Sequence, residues 1–232
     1  MNLDQSDTYL FGKVIRDNRE FLIPFLLFAF LFLILLGVTG NSELFLSVNR
    51  HNSDFGDFLF YYWTNLGDGI IAAILIVALL WISFRDALTF LIITLLITVI
   101  VNILKDHIFP EMNRPVAYFG TSQILHLVQG YTPPILSTFP SGHTATAFSA
   151  GLYICFFSKN RVLKFMLFVA AFLVGYSRMY LSAHFPADVV AGASLGVLTT
   201  LICFFAFRKI GSSWMDKKIE YIPKFFIRKK SL

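Results

Sequence analysis

Cysteine and charge are what this chain has least of. Its 232 residues hold two cysteines, Cys155 and Cys203, both inside apolar runs. They read as small core or lipid-facing residues, not as a disulfide or a metal pair. No Cys/His spacing matches a zinc site. Charged side chains make up 14 % of the chain against 56 % hydrophobic, and the mean hydropathy is +0.69. That balance excludes an ordinary soluble domain. Internal repeats, low-complexity linkers and any break that would mark a second domain are missing too, so one domain over 1–232 is expected.

What is present is a series of long apolar runs, at approximately 21–39, 58–84, 87–104, 144–158, 162–177 and 187–207. A helix needs about 20 apolar residues to cross roughly 30 Å of hydrocarbon. The predicted fold class is therefore all-α, an integral membrane bundle of six transmembrane helices. The first run exceeds the apolar core of a signal peptide, roughly 7–15 residues, and no small-x-small cleavage site follows it. It is expected to be a retained helix, with Pro24 tolerated in the opening turns. Residues 1–20 form the segment before it.

The formal net charge is +5, and its distribution argues against nucleic acid. Arg208, Lys209, Lys217, Lys218, Lys224, Arg228, Lys229 and Lys230 crowd into 208–232, just past the last run. Such a tail suits anchoring against anionic headgroups on the cytoplasmic side. With the N-terminus inside, fifteen of the nineteen Lys and Arg residues fall on one side. By the positive-inside rule both termini are cytoplasmic. The four on the other side are Arg50, Lys105, Arg114 and Arg178. The longest outer loop, about 105–143, is rich in proline and aromatics and is expected to pack as a cap at the membrane surface. Trp63 is expected at headgroup level.

Three of those outward cations stand near the chemistry-bearing segments. Pro140-Ser141-Gly142-His143 lies where the long loop enters the fourth run. A loop-to-helix junction presents unpaired N–H groups and a positive dipole end, which suits phosphate. Gly142 admits close backbone approach, Ser141 offers a hydroxyl, and His143 can protonate a leaving alkoxide. The plainer alternative is a capping Ser141 beside an interfacial histidine. Ser177-Arg178 and then His184, with Asp188 four residues on, form the other half. Pro186 suits a helix start, so Asp188 falls in the first turn with His184 just before it. A carboxylate there can hold one imidazole nitrogen and leave the other as nucleophile. The plainer alternative is an Asp188 that only caps the helix. Arg114 and Lys105 add positive charge apt for phosphoryl oxygens.

These segments resemble the motifs of the type 2 phosphatidic acid phosphatase superfamily. That family includes lipid phosphate phosphatases and, more distantly, vanadium haloperoxidases. Its Pro-Ser-Gly-His motif is complete at 140–143, and its Ser-Arg-x5-His-x3-Asp motif is complete from Ser177 to Asp188. The Lys-x6-Arg-Pro motif is not: Lys105 stands eight residues before Arg114, and His107 occupies the spacing of the family's lysine. Lys105 is preferred here, because it is a permanent cation and the loop can absorb extra residues. The resemblance implies that His184 attacks phosphorus to form a phosphohistidine, with Asp188 orienting it and His143 protonating the leaving group. Lys105, Arg114, Ser141, Gly142 and Arg178 would hold the phosphoryl oxygens. It also implies no metal or cofactor, and no carboxylate cluster suited to Mg²⁺ stands on the outer side.

The expected activity is hydrolysis of a lipid phosphate monoester or diphosphate at the outer leaflet, in a bacterial inner membrane. Undecaprenyl diphosphate, phosphatidylglycerol phosphate, phosphatidic acid and lipid A phosphate all qualify, and nothing in the residues selects among them or fixes an oligomeric state. A lipid transporter is the first alternative, but it would place polar groups near the midplane. A non-catalytic lipid-phosphate binder is the second, and the retained His184, Asp188 and His143 argue against it. A haloperoxidase would be soluble.

Overall fold

The structure, a computed structural model, describes residues 3–122, 125–211 and 214–217. Of the expected basic tail, 212–213 and 218–232 lie outside the described residues. Among the described residues every regular element is helical. In chain order these are α1 Leu3–Asp17, α2 Arg19–Thr39, α3 Asn41–Asn49, α4 Asp54–Trp63, α5 Gly69–Leu79, α6 Phe84–Ile103, α7 Pro115–Phe119, α8 Gly142–Cys155, α9 Arg161–Tyr180 and α10 Pro186–Arg208.

Four helices are long and apolar enough to cross a membrane: α2, α6 with its π-turn continuation to Ile108, α9 and α10. Their unpaired faces carry exposed apolar side chains such as Leu26, Phe30, Val99, Leu198 and Ile202. In a membrane that surface faces lipid, where exposure of such groups carries no penalty. The run at 58–84, expected as one continuous helix, is broken. α4 ends at Trp63, a 3₁₀ turn spans Thr64–Gly67, and α5 leaves at 50° to the first half. The cause is local. Asp68 caps α5 by accepting the Ile70 N–H at 3.1 Å, and Gly67 sits so close to α8 that a Cβ would lie 2.5 Å from the His143 carbonyl. Counted as one, this bent pair is a fifth candidate span.

α8 is the hub. It packs against α9, α10, α6 and α5, yet its 14 residues reach only about 21 Å at 1.5 Å per residue. Small residues let the helices close around it. At Gly192 and Gly196 of α10 a Cβ would fall 2.3 Å from the carbonyl oxygens of Ser141 and Ala145. On the other flank Phe21, Phe25 and Phe28 of α2 meet Phe148 of α8, with ring centroids 5.8–6.1 Å apart. Cys155 and Cys203 are free and buried in the core.

The outer segments carry structure of their own. The segment 40–57, between the first two apolar runs, contains α3 and the start of α4. The loop at 105–143 contains α7, and two of its segments are tied together by Arg114 N–H to Ile135 O (2.9 Å) and Thr138 N–H to Met112 O (3.2 Å). Farther along it, His126 ties down to Asp57 at 2.7 Å through Nε2. The indole N–H of Trp63 reaches the Ala170 carbonyl at 3.1 Å, halfway along α9. At the opposite end Arg85, counted with the surface anchors, is instead buried. It donates to Asp216 at 2.6 Å and to the carbonyls of Phe207 and Ile210 at 2.6 and 2.8 Å, pinning 214–217 against the start of α6.

Candidate active site

α9 ends at Tyr180 and the chain turns tightly into α10. The N–H groups of Ala183 and His184 both bond back to the Arg178 carbonyl, at 2.9 and 3.1 Å. Pro186 starts α10 without losing a needed donor. His184 and Asp188 are each 2 % exposed. His184 Nδ1 lies 3.3 Å from Asp188 Oδ2. That oxygen also accepts the Phe185 N–H at 2.8 Å and the Thr138 hydroxyl. Thr138 Oγ1 is in turn 3.3 Å from Nδ1. With Nδ1–H held on this side, the lone pair sits on Nε2. Burial, and then the positive charges of Arg114, Arg178 and Lys105, push His184 well below the ordinary imidazole value of 6.5.

Arg114 approaches Nε2 from the other side, with Nη1 at 3.2 Å. Nη1 also donates to the Ala183 carbonyl at 3.0 Å, while Nε and Nη2 donate to the carbonyls of Leu136 at 2.8 Å and Ser137 at 3.3 Å. Arg178 is 4 % exposed. It donates to Thr64 Oγ1 at 2.7 Å and to the Tyr131 hydroxyl at 3.0 Å. Its Nε–H has no acceptor among the described residues. A buried guanidinium with an open donor is an anion ligand in waiting.

The second motif meets this group through the main chain. Ser141 N–H donates to the Asp188 carbonyl at 3.0 Å. The Ser141 hydroxyl caps α8, accepting the Thr144 N–H at 3.4 Å, so the capping alternative holds for Ser141 itself. Gly142 and His143 open α8. His143 is half-buried and within electrostatic reach of Arg178, Asp68, Lys105 and Arg114. Lys105 is half-buried and in the field of Arg114, Arg178 and Asp188, whereas His107 is exposed.

All eight residues singled out in the sequence therefore gather at one end of the bundle. Thr138, Thr64 and Tyr131 were missed. Thr138 stands two residues before Pro140, and its adjacency to a motif was the available signal. Thr64 and Tyr131 had none, being common residue types on remote segments. The arrangement suits a neutral imidazole attacking phosphorus, with cations on the equatorial oxygens.

The model of the PAP2 superfamily matches residues 86–212. Among curated relatives, an undecaprenyl-diphosphatase, BcrC of Bacillus subtilis, is 24 % identical over 76 % of this chain and 88 % of its own. The bacitracin transport permease protein BcrC of Bacillus licheniformis is 43 % identical, over 32 % of this chain and 36 % of its own. The chain spans only about a third of the length of the first curated relatives it matches. Among solved structures, Aquifex aeolicus LpxE superposes with a TM-score of 0.63 at 30 % identity, covering 71 % of this chain and 94 % of that one.

Proposed function

Because the chain belongs to the PAP2 superfamily, we propose that it is an integral membrane lipid phosphatase acting through a phosphohistidine. The observation that carries this reading is His184, held between Asp188 Oδ2 at Nδ1 and Arg114 Nη1 at Nε2. In the first step Nε2 attacks phosphorus, the N–P bond forms, and the P–O bond to the leaving group breaks. His143 gives its proton to the departing oxygen. In the second step His143 takes a proton from water, which attacks phosphorus and returns His184 as neutral imidazole. Asp188 stabilises the imidazolium character that develops at His184, as an orienting carboxylate does in a triad. Arg114, Arg178 and Lys105, with the Ser141 hydroxyl and the backbone at Gly142, balance charge on the phosphoryl oxygens. These cations supply what a bound metal would otherwise supply, so turnover is expected to survive EDTA.

The substrate class is a lipid phosphate monoester or diphosphate: undecaprenyl diphosphate, phosphatidylglycerol phosphate, phosphatidic acid or lipid A phosphate. The activities for which the relatives are named, those of an undecaprenyl-diphosphatase, a lipid A 4'-phosphatase and a phosphatidylglycerophosphatase, fall within it. Six crossings, counting the bent pair and the short α8, leave both termini cytoplasmic and the site facing outward, under the cap of 105–143. A transport role, suggested by the name of one relative, has less support, since the ionisable groups lie at one end of the bundle and not at its middle.

The test is phosphate release by the purified protein in detergent with EDTA, across the four lipid classes, with His184→Ala as blank. Metal-independent release lost in the variant supports the reading; equal release by both would overturn it. Intact spheroplasts should cleave a membrane-impermeant phosphate ester, and cleavage only after permeabilisation would reverse the topology.

A further inference from the structure

A second, chemically distinct cavity lies at the opposite end of α9, some 30 Å from His184 by helix length. Its volume is about 590 Å³. Lys13, Arg16 and Arg19 line it from α1 and the start of α2, and Lys159 of the α8–α9 turn with Arg161 and Lys164 of the first turn of α9 line it from the other side. Two carboxylates, Asp17 and Glu20, also face it. Glu20 is already occupied by Arg19 at 3.2 Å and Arg161 at 3.4 Å. Lys164 is 4 % exposed and anchored through Nζ to Asn18 Oδ1 at 2.9 Å and to the Asp17 carbonyl. Lys13, Arg16 and Lys159 have no carboxylate in ion-pair range among the described residues. Six cations around one hollow against two carboxylates leave a strong positive field in it.

The lining is not polar throughout. Val14, Phe156 and Phe204 contribute apolar surface, and Phe11 fixes α1 to the end of α10 through Phe205, with centroids 5.2 Å apart. On the same helix Tyr9 and Phe11 remain 63 % and 52 % exposed. An amphipathic segment with outward aromatics lies at a membrane interface. A cationic rim over an apolar floor at that level matches a phosphate with hydrocarbon attached.

We propose that this cavity binds a phosphate-bearing anion on the cytoplasmic side, independently of the phosphatase site. Its most complementary form is the headgroup of an anionic inner-leaflet phospholipid, with a free phosphate anion as the other source of the same chemistry.

The experiment uses the full chain in nanodiscs of phosphatidylcholine alone and with phosphatidylglycerol, which has no terminal phosphate to hydrolyse. Thermal unfolding and native mass spectrometry are the readouts. The variant carries Lys13→Glu, Arg16→Glu and Lys159→Glu; Arg50→Glu, exposed at the other end of the bundle, is the control. Phosphatidylglycerol is expected to raise the unfolding temperature of the wild type and of Arg50→Glu by several degrees and to remain bound in the spectrometer. The triple variant should lose both effects while keeping its detergent elution profile and phosphate release. An undiminished shift in the triple variant, or no preference for phosphatidylglycerol in the wild type, overturns the proposal. A parallel titration with inorganic phosphate separates the sources, counting only the shift that the triple variant loses, because the phosphatase site also takes phosphate.

Discussion

Nη1 of Arg114 lies 3.2 Å from Nε2 of His184, the ring nitrogen opposite the one turned toward Asp188. In the proposed mechanism that cation covers the lone pair of the nucleophile until a substrate oxygen takes it over, which would make phosphate binding and unmasking of Nε2 one event. His184→Ala should cut phosphate release by roughly 10⁴-fold, the order seen when a triad member is lost. Membrane insertion and detergent elution should be unchanged, and release within tenfold of wild type would end the nucleophile assignment.

Thr138 shares an oxygen of Asp188 with His184 Nδ1 and the Phe185 N–H. Thr138→Val removes its hydroxyl and leaves a buried carboxylate short of a donor, a cost of about 1–3 kcal/mol. The rate constant kcat should fall, by roughly 5- to 150-fold on that scale, while KM moves little. Thr138→Ser should recover most of the rate, and equal losses in both variants would make Thr138 a packing residue only.

The acid limb of kcat/KM should lie below pH 6.5. His184 is pushed well beneath that ordinary imidazole value by burial and neighbouring cations, so it stays neutral as pH falls through 6.5. Stability has the opposite exposure. Below 6.5 the unfolded chain protonates this histidine and the folded one does not, so its contribution is complete above 6.5 and declines as pH drops toward the folded value. Unfolding temperature against pH, with His184→Gln as reference, reads the stability effect; a limb at or above 6.5 in kcat/KM would contradict the depressed value.

Lys105→Met should reduce kcat/KM by at least tenfold, whereas His107→Ala should stay near wild type. Lys105 sits in the field of Arg114 and Asp188, and His107 is exposed. The reverse ranking would assign the first-motif position to His107.

Gly192→Ala should destabilise the protein by about 1–3 kcal/mol, the usual cost of overpacking. Its Cβ would meet the Ser141 carbonyl at 2.3 Å, backbone that cannot rotate away. Activity should fall with it, since Ser141 opens the motif. Gly12→Ala, with nothing within 4 Å, should leave stability unchanged or raise it.

That Ser141–His143 and Arg178–Asp188 come together was legible because these residues cluster in two short segments with fixed spacing, and Pro186 marks the helix start that brings them into reach. What stayed hidden depends on contacts between distant segments. The Thr64–Asp68 break looked like the interior of an apolar run, because mean hydropathy averages over a single turn of polar residues. The Asp68 cap on α5 is local, but the approach of Gly67 to His143 is a contact that no local pattern encodes. Arg85 read as an anchor for the same reason: its partners Phe207, Ile210 and Asp216 lie more than 120 positions away. The bond from Trp63 to the Ala170 carbonyl on α9 is another such distant contact.

The bond from Ser141 N–H to the Asp188 carbonyl joins the two principal motifs without using a side chain. Substitutions that silence the chemistry therefore leave that join in place. A chain carrying His184→Ala would hold the arginines and the α8 start in their resting positions around an unreacted headgroup. It becomes a capture reagent: incubated with a crude lipid extract and washed, it should retain its own substrate, which mass spectrometry of the eluted lipid can then read directly.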